Sequence, residues 1–327
     1  MEEKQLLSAL RREFNMPGLA LLVYTFTMNV MVTVAVILEL VISLFRDLVT
    51  LGPEMALNLL LTDLEEIVAT NAWGYLAACA VGYLILRLWK KKEFCRETIW
   101  QKGRPMTLSA FFGLLCVFSS GQMVFQLVAT GLEWLLNFVG LSLLESIEMA
   151  SGSAESVSMF LYMCLFAPVF EEILFRGLIL RSLLPHGKRF AILVSAVLFG
   201  VFHGNLAQIP YAFAVGLVLG YVTVEYSIAW AMALHLFNNL ILGDALTWVL
   251  SSLPGTLGDV AFMGIMILFS VAALIILVAK AEDVRVWRQA ERIDRFTLRA
   301  FFTAPANVIL ILYMMANAIS MVLLSAL

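Results

Sequence analysis

Charge is scarce in this sequence. Asp, Glu, Lys and Arg make up 14% of its 327 residues, against about a quarter in soluble domains. Hydrophobic residues reach 62%, and the mean hydropathy is +0.93. A chain this apolar is expected to be an all-α, polytopic membrane protein. Cysteine is equally sparse. Cys79, Cys95, Cys116 and Cys164 are scattered, with no Cys-x-x-Cys pair, which argues against a disulfide framework and against a thiolate metal site. They read as small buried hydrophobes. The net charge of −3 leaves no basic surplus for a nucleic-acid partner. No internal repeat, low-complexity tract or separate soluble domain is visible.

What is present is a series of apolar runs, each about long enough to cross a bilayer. Met1 to Asn15 is charged, and the run Pro17 to Phe45 is too long for the core of a signal peptide. It is expected to be the first span. Arg46 to Thr70 is an acidic connection with a short interfacial helix at Leu57 to Leu61. Ala72 to Trp89 is the second span, and Met106 to about Leu141 is one long span with an amphipathic extension. Further spans are expected at Val157–Leu184, Phe190–Phe202, Ile209–Val224, Ile228–Leu250, Val260–Ala279 and Ala304–Leu327. That gives nine candidates: about eight core helices and an additional C-terminal span. The expected organisation is residues 1–156 as N-terminal helices without motifs, 157–250 as the functional core, and 251–327 as C-terminal helices with an amphipathic linker.

The positive-inside rule orients the chain. Lys4, Arg11 and Arg12, the Lys90 to Arg104 loop, the Arg181 to Arg189 loop and the Arg285 to Arg299 segment all fall on one side. An integral, multi-pass protein of a bacterial cytoplasmic membrane with a cytoplasmic N-terminus is expected.

Inside one run stands Phe170-Glu171-Glu172-Ile173-Leu174-Phe175-Arg176-Gly177. Ionisable groups in mid-membrane are costly and mark function by default, although some serve only to hold helices together. Glu172 and Arg176 are spaced i, i+4, with the acid first, which suits an ion pair. Glu171 points about 100° away around the helix, so one acid can be paired while the other faces a cavity, towards His203. Two of the three histidines lie in later spans. His203 closes Phe199-Gly200-Val201-Phe202-His203, and His235 opens His235-Leu236-Phe237-Asn238-Asn239. His235 and Asn239 share a helix face. His186 sits in a basic loop and reads as solvated. A lone buried histidine is usually a packing residue. Two of them with an Asn and two Glu, within about seventy residues and at similar depth by helix rise, point to one shared polar cavity. His235 lies near the inside end of its helix, so the cavity is expected to be wet from the basic side.

The motifs Glu171-Glu172…Arg176, Phe199…His203 and His235…Asn239, in this order on successive apolar helices, resemble the CAAX protease and bacteriocin-processing (Abi) family. Gly216 and Gly220 fit its usual run, and the resemblance covers about Met159 to Leu242. It implies an intramembrane endopeptidase acting on peptides or lipid-modified proteins, of the prenylated CAAX or bacteriocin type. Carried over, Glu171 and His203 activate water, His235 and Asn239 stabilise the oxyanion, and Glu172 with Arg176 supports the site. A carboxylate with little water around it is a better general base, and an Asn amide can serve as an oxyanion donor. The resemblance favours a metal-free mechanism with no cofactor. The alternative is zinc held by His203, His235 and Glu171, a known catalytic ligand set, although no His-Glu-x-x-His is present. Two other functions compete: a catalytically silent membrane scaffold, regulator or immunity protein, and a transporter, which would be expected to carry paired repeats.

Overall fold

The structure is a computed structural model that describes residues 2–151, 154–290 and 292–324. In a bilayer every backbone N–H and C=O needs an internal partner, and a helix supplies them within one segment. The chain accordingly folds as helices joined by short connections. The first two are α1 (Glu2–Thr50) and α2 (Pro53–Thr70), followed by α3 (Trp73–Trp89). Then come α4 (Leu108–Ser119), α5 (Gly121–Asn137) and the short α6 (Leu144–Ser151). The core helices are α7 (Val157–His186), α8 (Lys188–Phe202), α9 (Gln208–Glu225) and α10 (Ile228–Ser251). The C-terminal part is α11 (Leu257–Ala279), the amphipathic α12 (Ala281–Ala290) and α13 (Arg295–Phe302), and α14 (Pro305–Leu324). Among the described residues there is no strand.

The expected helix bundle is present, with fewer full-length spans than the nine anticipated. Seven helices are long and apolar enough to cross a membrane, or eight if α2 and α3 form one span bent by 47°. The expected Ala72–Trp89 span is the 17-residue α3, which reaches spanning length only together with α2. The Phe190–Phe202 span is the 15-residue α8, about 22 Å long at 1.5 Å per residue and too short to cross alone. The acidic connection after the first span is also more helical than expected. α1 runs on to Thr50 and α2 occupies 18 residues. The long third span is interrupted only at Ser120. The last span was expected to end at Leu327, which lies outside the described residues.

The additional C-terminal helix is part of the bundle. α14 buries Asn307, Leu310, Met314, Ala318 and Val322, a three-then-four spacing that keeps one face inward. It packs against the first half of α1. A Cβ on Gly18 would lie 2.5 Å from the Ala306 carbonyl carbon, so only glycine permits this approach. Asn307 Nδ2 donates to the carbonyls of Phe14 and Phe301, both at 2.9 Å.

The centre of the fold is α7, α8, α9 and the first half of α10. Phe175, Leu178, Ile179, Leu180, Val194, Leu198, Leu219 and Leu234 are at most 1% exposed. α8 and α9 pack closely because Gly216 has no side chain. A Cβ there would meet Ala196 Cα at 3.1 Å and Phe199 Cδ1 at 3.3 Å. Gly216→Val should therefore lower thermal stability in detergent by about 1–3 kcal/mol, the usual cost of overpacking. Gly131→Ala, at a position with nothing within 4 Å of a new Cβ, should leave it within about 0.5 kcal/mol.

Candidate active site

Three π-helical stretches interrupt the core helices: Leu161–Phe166 and Glu172–Leu180 in α7, and Phe237–Ala245 in α10. Such widened turns occur mostly at functional sites. Here they flank the polar residues singled out above.

Glu172 and Arg176 are both fully buried. Arg176 Nη1 donates to Glu172 Oε1 at 3.0 Å, the i, i+4 pair expected from the spacing. The same oxygen lies 2.9 Å from His235 Nδ1. An ionised carboxylate can only accept, so the Nδ1 proton of His235 points at Glu172 and Nε2 is left facing the other way. Arg176 is held further by its Nη2, 3.4 Å from the Gly216 carbonyl oxygen, and by the Phe199 ring, 4.2 Å from the guanidinium carbon.

Glu171 keeps 21% of its side chain exposed, and its Oε2 is 3.8 Å from His235 Nε2. The expectation that Glu171 faces His203 needs adjustment. Its nearest ring nitrogen is on His235, and among the described residues no hydrogen bond joins it to His203. His203 ends α8, where its Nδ1 is 2.7 Å from the Phe199 carbonyl oxygen one turn back. That carbonyl requires a proton on Nδ1 and leaves the Nε2 lone pair open.

Phe199 emerges as the hub. Its ring meets His203 edge-on at 4.9 Å and His235 at 5.8 Å, and it lies under Arg176. In the sequence it was one letter of a motif, with no role that spacing could supply.

Asn239 joins a separate chain of amides. Its Nδ2 donates to the Met163 carbonyl at 2.9 Å, and its Oδ1 accepts from Asn238 Nδ2 at 3.0 Å. Asn238 Oδ1 accepts in turn from Gln122 Nε2 at 3.0 Å and Tyr211 Oη at 3.1 Å. The sequence analysis missed Gln122, Tyr211 and Asn238. Their signal was only that each is polar within an apolar helix. Cys164 has its Sγ 3.8 Å from the Asn239 carbonyl oxygen. His186, read as a solvated loop residue, instead pairs with Glu13 at 2.8 Å and packs its ring against Phe14.

Among the described residues no three His, Cys, Asp or Glu side chains come together as a metal-binding group. His203, His235 and Glu171 are therefore not gathered as a zinc-ligand set.

The surroundings of the site are asymmetric. Towards the basic end of the bundle, α7 is buried almost without interruption from Leu174 to Leu183. The loop before α4 is tied over that end. Arg181 Nη2 donates to the Gln101 carbonyl at 2.8 Å, and Gly103 N–H to the Tyr226 carbonyl at 2.6 Å. Towards the opposite end Tyr162, His203, Gln208, Asn239 and Asp244 are all partly exposed. Position along α10 gave the depth of His235 but not how tightly α7 packs against α8 and α9 on the basic side.

These features define a class: a multi-pass helical membrane protein with an acid, histidine and amide cluster enclosed between its core helices. Within that class, residues 153–241 match the family model described as type II CAAX prenyl endopeptidase Rce1-like. The segment carrying the three motifs is thus similar to the Rce1-like family, in line with the resemblance. No curated protein and no solved structure matches the chain.

The shared Glu172 carboxylate generates a stability prediction. Arg176→Met leaves that carboxylate with one partner in a dry interior and should cost about 3–5 kcal/mol. Arg176→Lys should recover only part, because an ammonium lacks the planar fork that also reaches Gly216 and Phe199. The double variant Glu172→Gln/Arg176→Met should unfold at a higher temperature than Arg176→Met alone.

Proposed function

We propose that the protein is an intramembrane endopeptidase that hydrolyses a peptide bond with water activated by Glu171 and His203. The observation that carries this reading is the division of labour between adjacent acids. Glu172 is buried and already shared by Arg176 and His235, while Glu171 is partly exposed 3.8 Å from His235 Nε2. One carboxylate is structural and the other is free to take a proton. The Rce1-like match adds the protease class.

Glu171 removes a proton from water as the oxygen attacks the scissile carbonyl carbon. The Nε2 lone pair of His203 accepts the second O–H and orients the attack. The carbonyl electrons move onto oxygen. Protonated His235, its Nδ1–H directed at Glu172, presents Nε2–H to that oxyanion. Asn239 presents its second amide hydrogen, since only one is bonded to Met163. Preorganised donors of this kind contribute about 2.7–4 kcal/mol each. Collapse expels the amine, which takes the proton back from Glu171. No covalent intermediate and no metal is used.

An apolar cleft of about 430 Å3 lies between α3 and α7, lined by Trp73, Leu76, Tyr83, Phe166, Val169 and Ile173 among others. Phe170, also on its wall, precedes Glu171 directly. The cleft gives a lipid-modified or transmembrane substrate a lateral approach. A prenylated CAAX-like or bacteriocin-type peptide is the substrate class that the family description supports. All but two of the 21 Lys and Arg residues, Arg46 and Arg176, lie at or beyond the end of the bundle where α1 begins. By the positive-inside rule that end is cytoplasmic.

Peptides released from membranes containing the wild-type protein should be missing with Glu171→Gln, at equal expression and unchanged thermal stability. Identical peptide profiles would reject the endopeptidase reading and leave a scaffold or immunity role. With a released peptide in hand as substrate, His203→Ala should lower kcat by about 10²–10⁴-fold. Purified protein dialysed against a strong zinc chelator should keep its rate. Loss of activity restored by zinc would instead assign a metal to the site.

A further inference from the structure

Resting on that reading, we propose that Gln122, Tyr211 and Asn238 are positioning residues for the oxyanion donor Asn239. Together they hold its amide in the one orientation that turns a free N–H towards the site.

Asn239 stands four residues after His235 on α10, and His235 Nε2 is 3.8 Å from Glu171 Oε2. The Asn239 Nδ2 carries two hydrogens, and the Met163 carbonyl takes one of them at 2.9 Å. An amide held by a single hydrogen bond can pivot about it. A second bond, from Asn238 Nδ2 to Asn239 Oδ1 at 3.0 Å, fixes the amide plane. The remaining N–H then has one direction. A reversed amide would present Oδ1, an acceptor that repels a developing oxyanion.

The polarity of the whole series is set from its ends. A peptide carbonyl can only accept. Met163 therefore demands Nδ2 of Asn239 and leaves Oδ1 for Asn238. Asn238 must then give its own Nδ2 and keep Oδ1 for what lies behind it. Two donors lie there, Gln122 Nε2 at 3.0 Å and Tyr211 Oη at 3.1 Å. They fill both lone pairs of that oxygen. Gln122 Nε2 also donates to Tyr211 Oη at 3.2 Å, which closes the three groups into a triangle.

The series crosses four helices, from α5 through α9 and α10 to α7. Gly121 lets α5 come close enough to take part. A Cβ there would lie 2.7 Å from Val215 Cγ1 and 3.2 Å from Tyr211 Cε2. Phe125, four residues further along α5, meets the Tyr211 ring edge-on at 5.9 Å. The ring is thereby clamped with its hydroxyl on Asn238, which is only 7% exposed. Gln122 lies outside the residues 153–241 that match the Rce1-like model, so α5 supports the site from beyond the matched segment. Interhelical amide bonds can serve cohesion alone. A network built only for cohesion has no need to end on a residue with one hydrogen to spare.

The test uses the full-length protein and a fluorogenic peptide spanning a cut mapped by the Glu171→Gln comparison. Gln122→Met/Tyr211→Phe removes both donors at nearly constant volume. Its kcat should fall about 10–100-fold, the cost of a misplaced group. KM should stay within about twofold, because the oxyanion exists only in the transition state. Asn239→Ala should lower kcat about 10²–10³-fold. Adding the double change to Asn239→Ala should lower kcat by no more than about a further twofold, because the donor being positioned is already gone. A packing role predicts the same loss in both backgrounds, following a lower unfolding temperature. Equal losses in both backgrounds, a change confined to KM or an unchanged kcat overturns the proposal and leaves the endopeptidase reading intact. Should the double variant fail to fold, Tyr211→Phe, which keeps the ring and its packing, is read in the same cycle. Absence of any Glu171-dependent peptide sinks the endopeptidase reading and the positioning role together.

Discussion

Everything at the centre of this molecule depends on one buried carboxylate oxygen. Glu172 Oε1 meets both Arg176 Nη1 and His235 Nδ1, at 3.0 and 2.9 Å. A charge in a membrane interior is costly and is tolerated chiefly when it is paired. Arg176 supplies the pairing and His235 adds a second bond to the same oxygen from another helix, while Oε2 has no partner among the described residues. The same contacts fix the rotation of α7 relative to α10. The Phe199 ring then sets α8 against both. Three helices are thereby locked by polar contacts at a depth where apolar packing alone specifies register poorly, since lipid is as apolar as the helix faces.

This lock separates two acids that the sequence places side by side. Glu172 is committed to structure, and Glu171 is the one left partly exposed. The histidines are divided in the same way. Each has Nδ1 held, by the Glu172 carboxylate or the Phe199 carbonyl, and each has Nε2 turned outward. The two rings are thus held alike through Nδ1 but by different groups, a carboxylate for His235 and a peptide carbonyl for His203.

Much of this was legible beforehand, for identifiable reasons. The helical class follows from composition, because an apolar chain in lipid has few alternatives. The Glu172–Arg176 pair follows from i, i+4 spacing, which survives both α and π winding. Other features are written across helices rather than along them. Nothing in the spacing links Gln122 or Tyr211 to Asn238. Helix rise fixes the depth of His235 and says nothing about which neighbours pack around it. The length of α8 was likewise obscured, since apolar flanks mask where a helix stops. Gly204, with φ +56°, is the residue at which the chain turns out of it.

The shortness of α8 has a consequence for the helices around it. At about 22 Å it falls several ångströms short of a typical hydrocarbon core of about 30 Å. The turn after it lies at hydrocarbon depth, where bare backbone is not tolerated. Asn205 meets that demand, accepting the N–H groups of Ala207 and Gln208 on Oδ1 and bonding Nδ2 to the Ser146 carbonyl of α6. Neighbouring helices keep lipid away from the turn: Asn205 is 3% and Ala207 0% exposed, and Gly204 faces Met314 and Asn317 of α14. A helix can stop at this depth only because α6 and α14 wall it in, so the additional C-terminal helix serves as cladding for an unfinished span.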